Sequence, residues 1–274
     1  MRGNRLIIVG GAPRSGTSMF QSMMDSHRDV FGGPEFDHLT DIVHLRNRLH
    51  TGLQYGRIEQ FVDAAQIDAA IAQLIDALLL PAADRRQCSY LSEKTPMNVL
   101  VFKDLMQILP GARFVHIVRD PRAVMISMLM VAQRLEQKAE SKPDFLASPA
   151  HMAQYITDCV QAGVDACESH RDRAIIVRYE DLLTRTAHIM TQVLSFLGLP
   201  EDPAVLKPGA VTHDSAQLLK DGQDAWAGGR ARFSDPEPEN LDKWRTQVDA
   251  AAVQTLNEHF ASIPLFAALG YTFN

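Results

Sequence analysis

An α/β fold with a mainly parallel sheet between two layers of helices is predicted by two features of the sequence. Four apolar runs, Leu6 to Gly10, Tyr90 to Ser92, Arg113 to Val118 and Ala174 to Val177, each precede a stretch with helical apolar spacing. Such alternation gives parallel strands joined by right-handed crossovers, which gather the strand-end loops on one edge of the sheet. The second feature is Gly11-Ala12-Pro13-Arg14-Ser15-Gly16-Thr17-Ser18, a glycine-rich loop at the first strand-to-helix junction. A loop there lets the backbone approach an anion closely and aims the N–H groups of a helix start at it. The class is therefore a P-loop-type three-layer sandwich, and 274 residues without linker or repeat read as one domain, 1–274.

The elements follow in chain order. After the strand Leu6 to Gly10, the apolar spacing predicts a helix over Thr17 to Ser26. A long helical insertion, Leu39 to Leu80, separates the first two strands; its amphipathic stretch Ile67 to Ile75 is a candidate substrate wall. The strand Tyr90 to Ser92 leads to a helix over Val99 to Leu109, and the strand Arg113 to Val118 to one over Ala123 to Leu135, with Pro121 at a favoured first helical position. Lys138 to Pro149 is rich in Lys, Ser and Pro and predicts an exposed loop before a helix over His151 to Glu168. A last clear helix covers Thr184 to Leu197, and Pro200 to Asn240, with Gly228-Gly229 and Pro236-Glu237-Pro238, predicts a mobile cover.

Composition narrows the function classes. Charged residues at 22% and apolar ones at 46% are globular values, and the net charge of −6 gives no support to nucleic-acid or anionic-membrane binding. An anionic ligand must then be held by a local basic pocket. No signal-peptide pattern follows Met1 and no apolar run is long enough to span a bilayer, which predicts a cytoplasmic location without a membrane span. Cys88, Cys159 and Cys167 lack metal spacing and read as buried or idle thiols. A homodimer is compatible with the sequence, which carries no signal for oligomeric state.

The loop matches the G-x-x-x-x-G-K-[ST] spacing except that Thr17 stands where a nucleotide triphosphatase has its lysine. Arg14 supplies positive charge in the loop instead. Phe114 to Ser127 makes a second constellation: Arg119 lies at the carboxyl edge of a strand and Ser127 on the adjoining helix, where both can meet a second phosphate. The bland alternative for Arg119 is a salt bridge with Asp120 or another carboxylate.

Together the two segments resemble the sulfotransferase superfamily, whose donor is 3′-phosphoadenosine-5′-phosphosulfate (PAPS) and whose product is adenosine 3′,5′-bisphosphate (PAP). The resemblance is strongest to the tyrosylprotein sulfotransferases and their bacterial relatives and spans roughly Leu6 to Trp244. It implies that Arg14, Ser15, Gly16, Thr17 and Ser18 hold the 5′ phosphosulfate, and that Arg119 and Ser127 read the 3′-phosphate. Within His27-Arg28-Asp29-Val30-Phe31-Gly32-Gly33-Pro34-Glu35 it places Glu35 on the general base, and within Ser92-Glu93-Lys94-Thr95-Pro96 it places Lys94 on the lysine that stabilises the transferring group. Tyr179, in Arg178-Tyr179-Glu180-Asp181-Leu182, falls near the donor, and Lys243-Trp244 on a pair that covers the nucleotide.

The implied reaction is sulfuryl transfer to a hydroxyl acceptor, a peptide tyrosine, a sugar or a small alcohol or phenol, with no metal. Two departures from the branch touch the acceptor side, Pro34 replacing a glutamate and Asp37 a peptide-reading basic residue; a third, Val131 for a basic residue four positions after Ser127, weakens the 3′-phosphate site or leaves Arg134 to compensate. Gly32 and Ser92 stand where secretory relatives carry cysteines, and Arg230 and Ser234 align poorly. By pattern alone, Glu35 has a second reading as a cap or ion-pair partner of the helix starting near Asp37. His27, His38, His44 and His116 each read as structural, with His38 the second candidate for the base. A small-molecule kinase or nucleotide hydrolase would need the loop lysine and a magnesium-holding acid, for which Asp120 is a poor substitute. A non-enzymatic nucleotide-binding module is the third class.

Overall fold

The computed structural model describes residues 2–211, 213, 226 and 235–273. A five-stranded sheet runs in the order β2-β3-β1-β4-β5, with β1 Leu6–Gly10, β2 Val30–Gly32, β3 Tyr90–Lys94, β4 Arg113–Val118 and β5 Ala174–Arg178. Every pairing is parallel, with Ile7 opposite both Ser92 and Arg113 and Val118 opposite Arg178. Alternate residues of β1 feed two cores: Leu6 and Ile8 pack on one face, Ile7 and Val9 on the other. Period-2 alternation with both faces apolar is what a sheet covered on each side by helices requires.

Helix α1, Thr17–Asp25, and α8, Thr186–Leu197, cover the second face through Phe20, Met23, Met24, Met190, Val193 and Leu194. The first face carries α2 Leu39–Gln54, α3 Ala64–Arg85, α4 Phe102–Ile108, α5 Pro121–Gln137 and α6 Pro149–Ser169. Short helix α7, Tyr179–Thr184, follows β5, and α9 Ala250–Ala261 and α10 Pro264–Ala268 close the chain, Phe260 and Phe266 being fully buried. The insertion is tied down by Arg46, whose guanidinium forks onto Asp68 at 2.7 and 3.1 Å and reaches Asp104 at 3.3 Å on α4.

Several expectations need correction. Strand β2 has only three residues, too short for periodicity to mark it. The expected helix over Val99 to Leu109 is a 3-10 turn, Pro96–Val101, that passes into α4. The loop before α6 holds a turn at Asp144–Leu146 with Leu146 buried. Helix α3, at 22 residues, is long and apolar enough by composition to cross a membrane, unlike any unbroken apolar run; here Ile67, Ile71, Ile75 and Leu79 lie in the core. The start of the expected mobile cover is anchored: turns at Pro203–Leu206 and Pro208–Ala210 pack on α1, and buried His213 meets Asp25 at 2.5 Å. Residues 214–225 and 227–234, including Gly228-Gly229, Arg230 and Ser234, lie outside the described residues.

The chain builds β2 and β3 on one side of β1 and then crosses from β3 to build β4 and β5 on the other, so the sheet's winding reverses at β1, the topological switch point. In an open parallel sheet the crevice beyond that strand's carboxyl end is where a ligand fits. The glycine-rich loop opens there.

Candidate active site

The loop after β1 is held open by close packing. Its Gly11 N–H donates to the Pro96 carbonyl at 3.0 Å, and a Cβ on Gly11 would stand 2.3 Å from the Ile117 carbonyl oxygen. Arg14 has φ 74 and Gly16 φ 102, so two of its residues lie in the left-handed region that ordinary side chains disfavour. Such local strain persists where the surroundings over-determine the backbone. At Gly16 the cause is Tyr179, whose ring lies where a side chain would be, 2.2 Å from an ideal Cβ. Ser15 Oγ is buried with no hydrogen-bond partner among the described residues, and α1 starts at Thr17 with the N–H groups of a first helical turn. An orphaned hydroxyl, a left-handed glycine and a helix start together fit an anion.

Two groups of side chains meet this loop. On the β4 side, Arg14 Nε donates to Ser127 Oγ at 3.0 Å and its Nη1 to the Trp226 carbonyl at 2.7 Å. Arg119 donates to the Arg14 carbonyl at 3.3 Å and lies 4.5 Å over the Tyr179 ring. The bland reading of Arg119 as the partner of Asp120 does not hold, because Asp120 engages Arg122 at 2.7 Å and caps the start of α5. Glu180 fixes the same turn, accepting from Asp120 N–H at 2.8 Å and Tyr271 O–H at 3.0 Å, and burial pushes its carboxyl above the ordinary range.

On the β3 side, Lys94 is buried at the strand end and donates both to Ser18 Oγ, at 3.3 Å, and to the Glu35 carboxylate. Glu35 is thus an ion-pair partner of Lys94, not a cap: α2 begins after His38 with no side-chain cap. Its side chain remains 43% exposed, so one oxygen can face an incoming group. His38 is exposed and paired with Asp41 at 3.0 Å. His27 is buried, its Nδ1 accepting from Asp29 N–H and its other nitrogen meeting the Pro200 carbonyl, and burial pushes His116 down to about 4. Burial likewise pushes the Cys159 and Cys167 thiols up to about 12, as inert core cysteines.

The predicted residues divide accordingly. Arg14, Ser15, Gly16, Thr17, Ser18, Lys94, Glu35, Arg119, Ser127 and Tyr179 converge at the switch point. Lys243 is exposed, and its neighbour Trp244 is buried against Ala123 and Ile126 beside Ser127. Val131 is fully buried and offers no charge, and Arg134 stands two turns beyond Ser127 on α5, about 10 Å along it. Sequence reasoning missed Gln21, Glu93 and Thr95. Gln21 Nε2 donates to the Ser92 carbonyl at 2.8 Å and the Gly33 carbonyl at 3.2 Å, joining β3 to the strand that precedes Glu35.

Residues 6–203 match the profile of the Sulfotransferase family. The chain belongs to the sulfotransferase family. A Drosophila melanogaster protein-tyrosine sulfotransferase is 26% identical over 272 residues, 97% of this chain, and the chain spans about half, 51%, of that relative's length. The sulfotransferase domain of the Synechococcus PCC 7002 olefin synthase shares the fold, with TM-score 0.61 and 21% identity over 98% of this chain and 95% of its own. A mouse sulfotransferase solved in complex with PAP has TM-score 0.50 and 12% identity, covering 96% of this chain and 84% of its own.

Proposed function

We propose that this sulfotransferase moves the sulfuryl group of PAPS onto a hydroxyl acceptor by in-line attack, with Glu35 as general base. The observation that carries the reading is the position of Lys94, whose ammonium bridges Ser18 of the donor loop and the carboxylate of Glu35. One cation thus stands between an anion cradle and a candidate base. The donor supplies an activated sulfuryl group. Gly16, Thr17 and Ser18 would hold its 5′ end by backbone N–H and hydroxyl groups, with Arg14 and Lys94 placing positive charge where negative charge grows. Arg119 and Ser127 would hold the 3′-phosphate beside Tyr179. Glu35 would take the acceptor's proton as the new bond forms, its half-exposed side chain facing the approach side.

The kinase or hydrolase alternative is disfavoured by Asp120, whose carboxylate is occupied by Arg122 at 2.7 and 3.0 Å and so is not poised to hold magnesium. The test is turnover of radiolabelled PAPS together with calorimetric titration of PAP in EDTA. Glu35→Gln is expected to lower kcat by about 10²-fold or more while PAP affinity is nearly kept. Near-normal turnover in Glu35→Gln with a large loss in His38→Ala would move the base to His38. ATP bound only with Mg²⁺, and no PAP binding in EDTA, would instead restore the kinase class.

A further inference from the structure

We infer that Glu93 and Thr95 are positioning residues that clamp the Glu35 loop onto the end of β3; the inference rests on the reading of Glu35 as the base. Glu93 is a 2% exposed carboxylate whose hydrogen-bond partners are neutral donors. Its Oε1 accepts from the Phe36 N–H at 3.2 Å and the Thr95 hydroxyl at 2.7 Å, and its Oε2 accepts from the Asn98 amide. Thr95 Oγ1 in turn accepts from the Asp37 N–H at 3.1 Å. The backbone donors of both residues that follow Glu35 therefore end on this pair.

The loop needs such an anchor. Strand β2 stops at Gly32, so Pro34 to His38 run beyond the sheet ladder, and Asp37 holds φ 62, in the left-handed region that non-glycine residues seldom adopt. A carboxylate buried among neutral donors is costly to keep, and an apolar side chain would suit the core better. What Glu93 and Thr95 supply is a pair of acceptors at one place, on the strand whose next residue is Lys94. Alternation along β3 sends Lys94 to the site and its neighbours to the loop backbone. Base and lysine are thereby referred to the same strand end, with Gln21 fixing Gly33 from the other side.

The test compares Thr95→Val, which keeps shape and removes the hydroxyl, with Thr95→Ser, which restores it, and adds Glu93→Ala and Glu93→Gln. Amide exchange, which needs no acceptor, should be at least about tenfold faster at Asp37 in Thr95→Val and at Phe36 in Glu93→Ala, with the β1 and β4 amides unchanged. Turnover of PAPS with 4-nitrophenol as acceptor should fall by about 10- to 100-fold in kcat, with the Kd for PAP within about threefold, and Thr95→Ser and Glu93→Gln should recover most of it. In a Glu35→Gln background, Thr95→Val should cost nothing further, since it acts through the carboxylate. Unchanged exchange at both amides, or the same fold loss in the Glu35→Gln background, would overturn the clamp. Wild-type turnover in Glu35→Gln would overturn the base assignment and the clamp's catalytic role, while exchange would still decide the anchoring.

Discussion

Replacing Gly16 by alanine asks whether the donor loop owes its shape to the Tyr179 ring. Gly16 sits at φ 102 and ψ 11, outside the ordinary range of L-residues, and forcing a side chain there costs about 1–2 kcal/mol. The added Cβ would also stand 2.2 Å from Tyr179 Cδ2 and 2.6 Å from Cε2. Carbon atoms pack best at about 3.5–4.0 Å, so ring or loop must shift, an overpacking cost of about 1–3 kcal/mol. The sum, about 2–5 kcal/mol, is expected as a lower melting temperature by about 4–20 °C where the fold bears it. Where the loop bears it, PAP affinity falls by about 30-fold or more. Calorimetric melts without ligand and titrations with PAP measure both shares. Tyr179→Ala in the same background removes the steric part but not the backbone part, so the cycle should show a coupling of about 1–3 kcal/mol. Additivity within about 0.5 kcal/mol, or wild-type melting and PAP affinity in Gly16→Ala, would refute the packing argument.

Arg14→Ala removes a loop charge rather than core volume, so turnover should fall by about 10²-fold or more in a protein with an unchanged circular dichroism spectrum; a wild-type rate would remove Arg14 from the mechanism. Arg119→Ala and Ser127→Ala should each narrow the calorimetric preference for PAP over adenosine 5′-phosphate, because only PAP carries the group assigned to them; an undiminished preference in both would move the 3′-phosphate elsewhere. Burial pushes the Glu93 carboxyl above its ordinary range, so the native state holds that proton more tightly than the unfolded chain does. That stability is present below the ordinary carboxylate pKa and is lost as pH rises through the raised one. The melting temperature of Glu93→Gln minus that of the wild type should therefore grow more positive between about pH 4 and pH 8, and a flat difference would contradict the burial argument.

Much of this arrangement was legible in the residues, for reasons that separate one element from another. Strand β1, the loop and α1 declare themselves because four buried apolar residues, the loop's two glycines and a helical repeat each follow from local geometry. Strand β2 escaped because Val30–Gly32 is shorter than one full alternation, and Pro96–Val101 because a 3-10 turn running into an α-helix carries the same apolar spacing. In the site, the loop charge at Arg14 and the strand-tip Arg119 followed from position on the sheet edge. The placing of Glu35 and Lys94 in one site followed only from resemblance, and their ion pair was not foreseen, since 59 residues and the α2–α3 insertion separate them. Glu93 and Thr95 were missed because they act on backbone N–H groups, which every residue but proline presents alike.

Charge placement explains how a chain with a net charge of −6 can present a site for an anionic nucleotide. Three carboxylates near the switch point are engaged by cations: Glu35 by Lys94, Asp120 by Arg122, and Asp181 by Arg185 at 3.0 Å. Two more, Glu93 and Glu180, are buried among neutral donors, and burial favours their uncharged form. Arg14, by contrast, donates to a serine hydroxyl and a carbonyl, and Arg119 to a carbonyl while it lies over the face of Tyr179. These hydrogen bonds orient both guanidiniums at the loop, with the Glu180 carboxyl near Arg119. Charges farther from the site than about 8–10 Å are screened by salt. A field set by oriented guanidiniums and a helix start, with the Lys94 ammonium shared between Ser18 and Glu35, is local, and it is this local field that an incoming nucleotide would meet.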